Sequence, residues 1–403
     1  MSAILKFPQL VYGAGSASSA AEEAAEALAS RLAETAVARD AAGGHAGRER
    51  ELIRASGLLS LTIPARFGGQ EGDWPTLYRI VRRLAREDSA LAHVFAFHHL
   101  QLATIGLFGD EAQQARLLTD TAARGLFWGN AFNRLDKRTL ATQEKGGWTL
   151  DGVKSYCSGS VGSDWLTLTA WHEPTQSVLS GVLPTNSPGL TVEGDWDAFG
   201  QRQTDSGTVR FDKVFLPAAD VLVQPQTVVT PRASLRSQLS QLILANLYLG
   251  IAQGALEAAG RFQREEARPW FASGAATSTD DAYVQHRYGE LSLDVRAARP
   301  LADEAAQLLD AALRQGPALT ADARGEVAIA VAQAKVVAHR AVVRVTTEFF
   351  ELTGARSTSS RYGFDRFWRN ARVHTLHDPV DYKLRDLGRH FLTGQYPDPT
   401  PYS

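Results

Sequence analysis

The chain has a single cysteine, Cys157, among 403 residues. One thiol cannot build an intrachain disulfide framework, and the chain fits a reducing compartment. No sign of charge dominates: 42 basic residues face 44 acidic ones, for a net charge of −2. That balance argues against a broad nucleic-acid or membrane surface. No G-x-G-x-x-G fingerprint follows any predicted strand, so the usual cradle for NAD(P)H is missing. Long runs without polar residues are missing too. The longest stretch free of charge and histidine, SQLSQLILANLYLGIAQGAL at 237–256, contains Gln, Ser and Asn. Such groups are costly in lipid, so this reads as a helix buried in protein. The N-terminal MSAILKFPQLVYG carries a lysine and a proline within its apolar run and makes a poor signal peptide. The expectation is a cytoplasmic protein.

Three textures are present, at a length that predicts two or three subdomains. Residues 1–124 are rich in Ala, Leu, Arg and Glu at helical spacing and read as an α-helical domain. IPARFGGQEGDWP interrupts it as a connector, and 76–108 reads as a mostly buried helical stretch. Residues 125–232 change to short alternating runs, about seven strands of a small β-barrel or sandwich. Within them WTLDGVKSYCSG reads as a hairpin turning at Asp151-Gly152. Residues 233–403 return to long helices, near 234–268, 281–315 and 321–353, then a short Arg- and aromatic-rich piece. Long helices with short connections predict a four-helix bundle. The fold class is α+β in the order helical domain, β domain, helical bundle.

Several blocks in this order carry a resemblance: RASGLLSLTIPARFGG, FWGNAF, YCSGSVGSDWL, DWDAFGQRQTDSGT, NLYLGIAQGAL, ARPW, RYGFDRFWRN and HTLHDPV. They resemble the acyl-CoA dehydrogenase superfamily over nearly the whole chain, and within it the dibenzothiophene monooxygenase branch. The resemblance implies the oxygenase half of a two-component flavin monooxygenase. Reduced FMN, rather than FAD, would come from a separate flavin reductase, and the chain would assemble as a homotetramer. Oxygen would pass from a flavin C4a-hydroperoxide to a soft nucleophile such as organosulfur.

By the same resemblance Asn130, Ser158 and Trp196 line the flavin ring, with Ser206 and His374 beside them. Arg268 and Arg356 hold the phosphate, one of them from a neighbouring subunit. Arginine suits that task because its planar fork pairs two phosphate oxygens. Taken alone, Trp196 reads as a core residue, Asn130 as a turn or cap residue, and either arginine as solvated surface.

His374 and His377 sit three apart, a spacing that shares a face if the segment is helical. Two histidines without a matched third ligand make a weak metal site. The resemblance instead implies catalytic roles for His377, His98 and Ser158, with His377 moving a proton near neutral pH, where imidazole titrates. His99 faces elsewhere and reads as structural. Phe97 stands where the resembled branch has tyrosine. The alternative reading is an FAD-dependent acyl-CoA dehydrogenase with Asp378 as base. Asp378-Pro379 also reads as a helix start with Asp378 as N-cap, and the family's other base position holds Ser240. Both points disfavour dehydrogenation.

Overall fold

The computed structural model describes residues 16–403, so the N-terminal MSAILKFPQLVYG lies outside the described residues. The first texture forms α1 (Ser16–Ala33), α2 (Ala36–Ala42), α3 (Gly47–Ala55), α4 (Trp74–Glu87), α5 (Ser89–Phe108) and α6 (Glu111–Arg124). The predicted stretch 76–108 is therefore two helices. Asp88 breaks it: its backbone is extended, and its carboxylate accepts from the Leu91 amide at 3.0 Å, capping α5. Pro75, read as part of a connector, stands in the first turn of α4, where a missing N–H costs nothing.

The middle texture forms one eight-stranded mixed sheet: β1 (Trp128–Ala131), β2 (Leu140–Glu144), β3 (Gly147–Lys154), β4 (Trp165–His172), β5 (Ser177–Pro184), β6 (Leu190–Val192), β7 (Val209–Pro217) and β8 (Val221–Val223). The ladder runs β6-β7-β3-β2-β4-β5-β8, with β1 parallel on β4. Its inner face gathers Leu150, Leu166, Leu168, Leu179, Phe211 and Leu216 into a core of its own.

The Asp151-Gly152 hairpin does not form. β3 runs straight through those residues, and the turn falls between Glu144 and Gly147. Gly152 instead faces a bulge in β7, where Asp212 and Lys213 lie between the partners of Leu150 and Gly152. Gly152 has φ +127°, and a Cβ there would lie 2.0 Å from the Arg138 carbonyl oxygen. The glycine serves a close approach of chains rather than a turn.

The last texture forms α7 (Pro231–Glu265), α8 (Ala282–Arg314), α9 (Ala321–Thr353), α10 (Asp365–Thr375) and α11 (Val380–Thr393). The first three match the predicted bundle helices to within three residues at either end. The fourth place is shared by α10 and α11, split at residues 376–379. Helices α5 and α7 have the length and apolarity to cross a membrane, but 78% and 89% of their apolar windows are buried inside the fold. Charge-poor α7 is thus largely covered by its own chain, by α4, α5, α8 and α9. A single core joins α4 and α5 to the bundle through Leu77, Val81, Leu91, Phe95, Leu242, Val331 and Val342.

Candidate active site

Two loops of the sheet, β3–β4 and β6–β7, meet β1 beside α5 and α10. The Asn130 amide of β1 donates to the Ser158 carbonyl at 3.0 Å. The Ser158 and Ser206 hydroxyls are 2.8 Å apart, and Ser206 donates to Thr204 Oγ1 at 2.7 Å. The Trp196 indole N–H donates to the Gln201 carbonyl at 2.9 Å. Tyr156, Gln201 and Asp205 all have positive φ without being glycine. Such strain persists only where the surroundings enforce it and clusters at functional sites. Here His45 at 2.8 Å and Arg50 at 3.4 Å hold Asp205 in place.

The cradle is fastened to the helices through Gln201. Its amide donates to Asn370 Oδ1 at 2.6 Å, and its side chain donates to Ser89 Oγ at 3.0 Å. A Cβ on Gly200 would lie 2.2 Å from the Arg369 carbonyl, so the loop rests directly on the α10 backbone. Four residues beyond Ser89 on α5 is His93, and four beyond Asn370 on α10 is His374; on a helix that spacing keeps one face. Their ring centroids are 4.8 Å apart, and His93 stacks on Phe97 at 4.0 Å.

Both rings are buried. Among the described residues His93 has no partner at either nitrogen and His374 none at Nδ1. Burial pushes His93 down to about 3 and His374 well below the ordinary histidine range, and neighbouring imidazoles add to both shifts. Both are neutral at pH 7. Unpaired buried nitrogens are costly in a finished core; beside Ser158, Ser206 and Trp196 they suit a bound polar ring.

His377 lies outside α10, in the turn before α11, and does not share a helical face with His374. Its Nδ1 is 2.9 Å from Asp378 Oδ1, and the Tyr402 ring lies edge-on at 5.5 Å. Asp378 is not an N-cap: α11 starts at Val380 without a side-chain cap. Its Oδ1 accepts from buried Lys335 and from Gln241 as well as His377. Burial alone would raise its pKa, but the His377 hydrogen bond and the Lys335 charge hold it well below the usual carboxylate range. A carboxylate so stabilised is a poor base for carbon acids.

His98 is withdrawn from the site. Its Nε2 is 2.8 Å from the Leu59 carbonyl, its Nδ1 accepts the Trp128 amide at 3.1 Å, and it is fully buried. With both nitrogens committed to backbone, it fixes α5 to β1. His99 likewise bonds Thr62 Oγ1 at 2.9 Å. Cys157 beside Ser158 is a buried thiol pushed up to about 12 by burial, which leaves it inert.

Arg268 and Arg356 lie away from the cradle, at the end of α7. Arg356 donates to the Glu266 carbonyl at 3.1 Å and is 3.7 Å from its carboxylate. Arg268 is exposed next to Trp270 and Phe271, which are 67% and 87% exposed. The sequence reading missed His93, Asn370, Gln241 and Lys335. His93 left a signal, the four-residue spacing Ser89, His93, Phe97, Gln101. Lys335 left none, because its partner is 43 residues away.

A helical domain, a sheet and a bundle with a cradle at their junction define a flavoenzyme of the acyl-CoA dehydrogenase type. The chain belongs to the acyl-CoA dehydrogenase family: the N-terminal, middle and C-terminal domain models match residues 17–125, 129–214 and 242–382. It is 45% identical to the "Probable FMNH2-dependent monooxygenase SfnC" of Pseudomonas putida, over 94% of this chain and 96% of that one. It is 43% identical to the dibenzothiophene monooxygenase of Rhodococcus erythropolis, over 93% and 94%. The solved methanesulfinate monooxygenase MsuC of Pseudomonas fluorescens superposes with a TM-score of 0.93 at 43% identity, covering 94% of this chain and 99% of that one.

Proposed function

We propose that the chain is the oxygenase component of a two-component flavin monooxygenase that oxygenates an organosulfur compound with reduced FMN and O2. The relatives' FMNH2 dependence supports the cofactor. The observation that carries the reading is the pair of neutral, incompletely partnered imidazoles, His93 and His374, one helical turn beyond Ser89 and Asn370, to which Gln201 fastens the cradle. When bound, reduced FMN supplies the electrons that activate O2.

The chain's own residues bind, orient and exclude water. Ser158, Ser206 and the Asn130 side chain offer hydrogen bonds to the polar edge of the ring, and Trp196 offers a flat wall. His374 and His93 offer neutral nitrogens where water has no access. Asp378, ionised and acceptor-only, accepts a hydrogen bond from the Nδ1–H of His377 and leaves Nε2 to exchange a proton with the reacting group. His98 acts by positioning α5. Acyl-CoA dehydrogenation would need a base that Asp378, held by three donors, does not supply.

Arg268 and Arg356 would reach a flavin phosphate of a neighbouring subunit in a homotetramer, where a partner would also cover Trp270 and Phe271. Large exposed aromatics side by side mark an interaction surface. A separate flavin reductase supplies reduced FMN. Incubating the chain with reduced FMN, O2 and a panel of sulfides, sulfinates and thiophenes tests the reading. Mass spectrometry should find a gain of one oxygen; H2O2 alone with every compound would overturn it.

A further inference from the structure

Two arginines one turn apart near the start of α7, Arg232 and Arg236, reach the second half of α5. Arg232 donates to the Gly106 and Leu107 carbonyls at 3.0 and 3.4 Å, which caps the end of α5 and explains it structurally. Arg236, one turn on, is different. Its Nε donates to Thr104 Oγ1 at 2.7 Å, and its Nη2 is 3.4 Å from Gln101 Oε1. Its guanidinium lies 3.8 Å over the Phe132 ring. Arg134, from the loop after β1, is close enough that its charge further lowers the pKa of Arg236, which burial already pushes down to about 9.

No acidic side chain among the described residues acts on Arg134, Arg232 or Arg236. The groups facing Arg236 are Gln101 and Thr104 of α5, Phe132 and Arg134 after β1, and Arg232 on its own helix; none is anionic. A buried guanidinium bonded to neutral groups and to no carboxylate among the described residues carries a desolvation cost that an incoming anion relieves. Arg236 is covered by protein over most of its surface and keeps a part of it open.

Arg236 is linked to the candidate site through its neighbours. The Phe132 amide donates to Asn130 Oδ1 at 2.9 Å. Gln101 donates to the Phe97 carbonyl at 2.8 Å and lies one turn beyond the Phe97 ring that stacks on His93. We propose that Arg236 and Arg134 read an oxyanion on the substrate, so the chain's substrates are organosulfur compounds that carry an anionic group. The apolar, oxidisable end lies against Phe97 and Phe132, and Arg236 supplies its unbonded Nη1 to the anion. This rests on the monooxygenase reading and adds a charge requirement to it.

The test is equilibrium binding, by calorimetry with FMN present, of para-(methylthio)benzoate and its uncharged isostere para-(methylthio)benzamide. The wild-type chain should bind the carboxylate at least about tenfold tighter than the amide, with the preference shrinking as salt rises. Arg236→Gln should abolish the preference, and Arg134→Gln should reduce it several-fold while amide binding stays unchanged. Should Arg236→Gln fail to fold, Arg134→Gln, on a partly exposed loop, decides alone. Equal binding of the two compounds by wild type, or a carboxylate preference that survives in Arg134→Gln, overturns the proposal. Binding needs no turnover, so failure here leaves the monooxygenase reading standing. Failure to oxygenate either compound despite a carboxylate preference would strike that reading and not this one.

Discussion

Lys335 and Asp378 form a buried ion pair, and His377 donates its Nδ1 proton to the same carboxylate oxygen. The ammonium is 1% exposed and the carboxylate 7%, whereas the His377 side chain is 37% exposed. A rigid interior pair thus aims a half-exposed imidazole. Removing one partner of a buried pair costs about 3–5 kcal/mol, because the other charge is left unpaired. Lys335→Met should therefore melt well below wild type, and its surviving folded fraction should release more H2O2 per product. Adding Asp378→Leu should recover much of the stability and none of the coupling. Calorimetry with a peroxide assay separates the two effects.

The same pair sets a pH dependence. Burial pushes Lys335 down to about 8 from an ordinary 10.5, against the pull of Asp378. Between those values the unfolded chain binds a proton that the folded chain has lost, so stability rises with pH across that window. The ion pair itself is present below pH 8 and fades above it. Coupling of oxygen consumption to product should fall as pH passes 8 while the melting temperature does not fall. A parallel loss of both would contradict this assignment.

His377→Ala should leave the fold nearly intact, since the side chain is partly exposed. Product formation should drop by about 10²-fold or more, the contribution of a positioned proton donor. Reduced flavin should still be consumed, with H2O2 in place of product. Aggregation of the variant would make His377 a structural residue.

His93→Leu should act in the opposite sense on stability. It removes two buried nitrogens that have no partner, each a liability of about 1–3 kcal/mol. The variant should melt no lower than wild type and oxygenate less. A strongly destabilised variant would mean that His93 is satisfied in a way its contacts do not show.

Arg356→Ala and Arg268→Ala should each weaken reduced-FMN binding by roughly tenfold, about 1.4 kcal/mol. Light scattering should find a tetramer in the wild-type chain. A stable monomer with unchanged FMN affinity in both variants would confine Arg356 to its contact with Glu266.

Gly152→Ala probes the sheet. A Cβ at this φ, 2.0 Å from the Arg138 carbonyl oxygen, forces β2 and β3 apart and should cost about 1–3 kcal/mol or more. Gly146→Ala, in the turn that does exist and with nothing within 4 Å of its Cβ, should cost less. Equal melting temperatures would refute the bulge.

The sequence by itself determined what periodicity and composition carry. Helices α7, α8 and α9 were legible because apolar residues recur at helical spacing over thirty or so residues, and β4 and β7 because apolar and polar residues alternate along them. Asn130, Ser158 and Trp196 were proposed as site residues through motif resemblance, where local chemistry alone would have read them as turn and core. Only tertiary structure decided which groups meet. Asp151-Gly152 has the composition of a turn, but turn residues also serve bulges, and the pairing of β3 with β7 chooses between them. His98 and His93 are alike in a sequence; the Leu59 carbonyl and the Trp128 amide, from distant segments, use up one and leave the other. Asp378 reads as a cap from its proline neighbour, yet a buried ammonium 43 residues earlier in the chain claims it. A charge pair in a low-dielectric interior outweighs a local capping bond, and no local pattern announces such a partner.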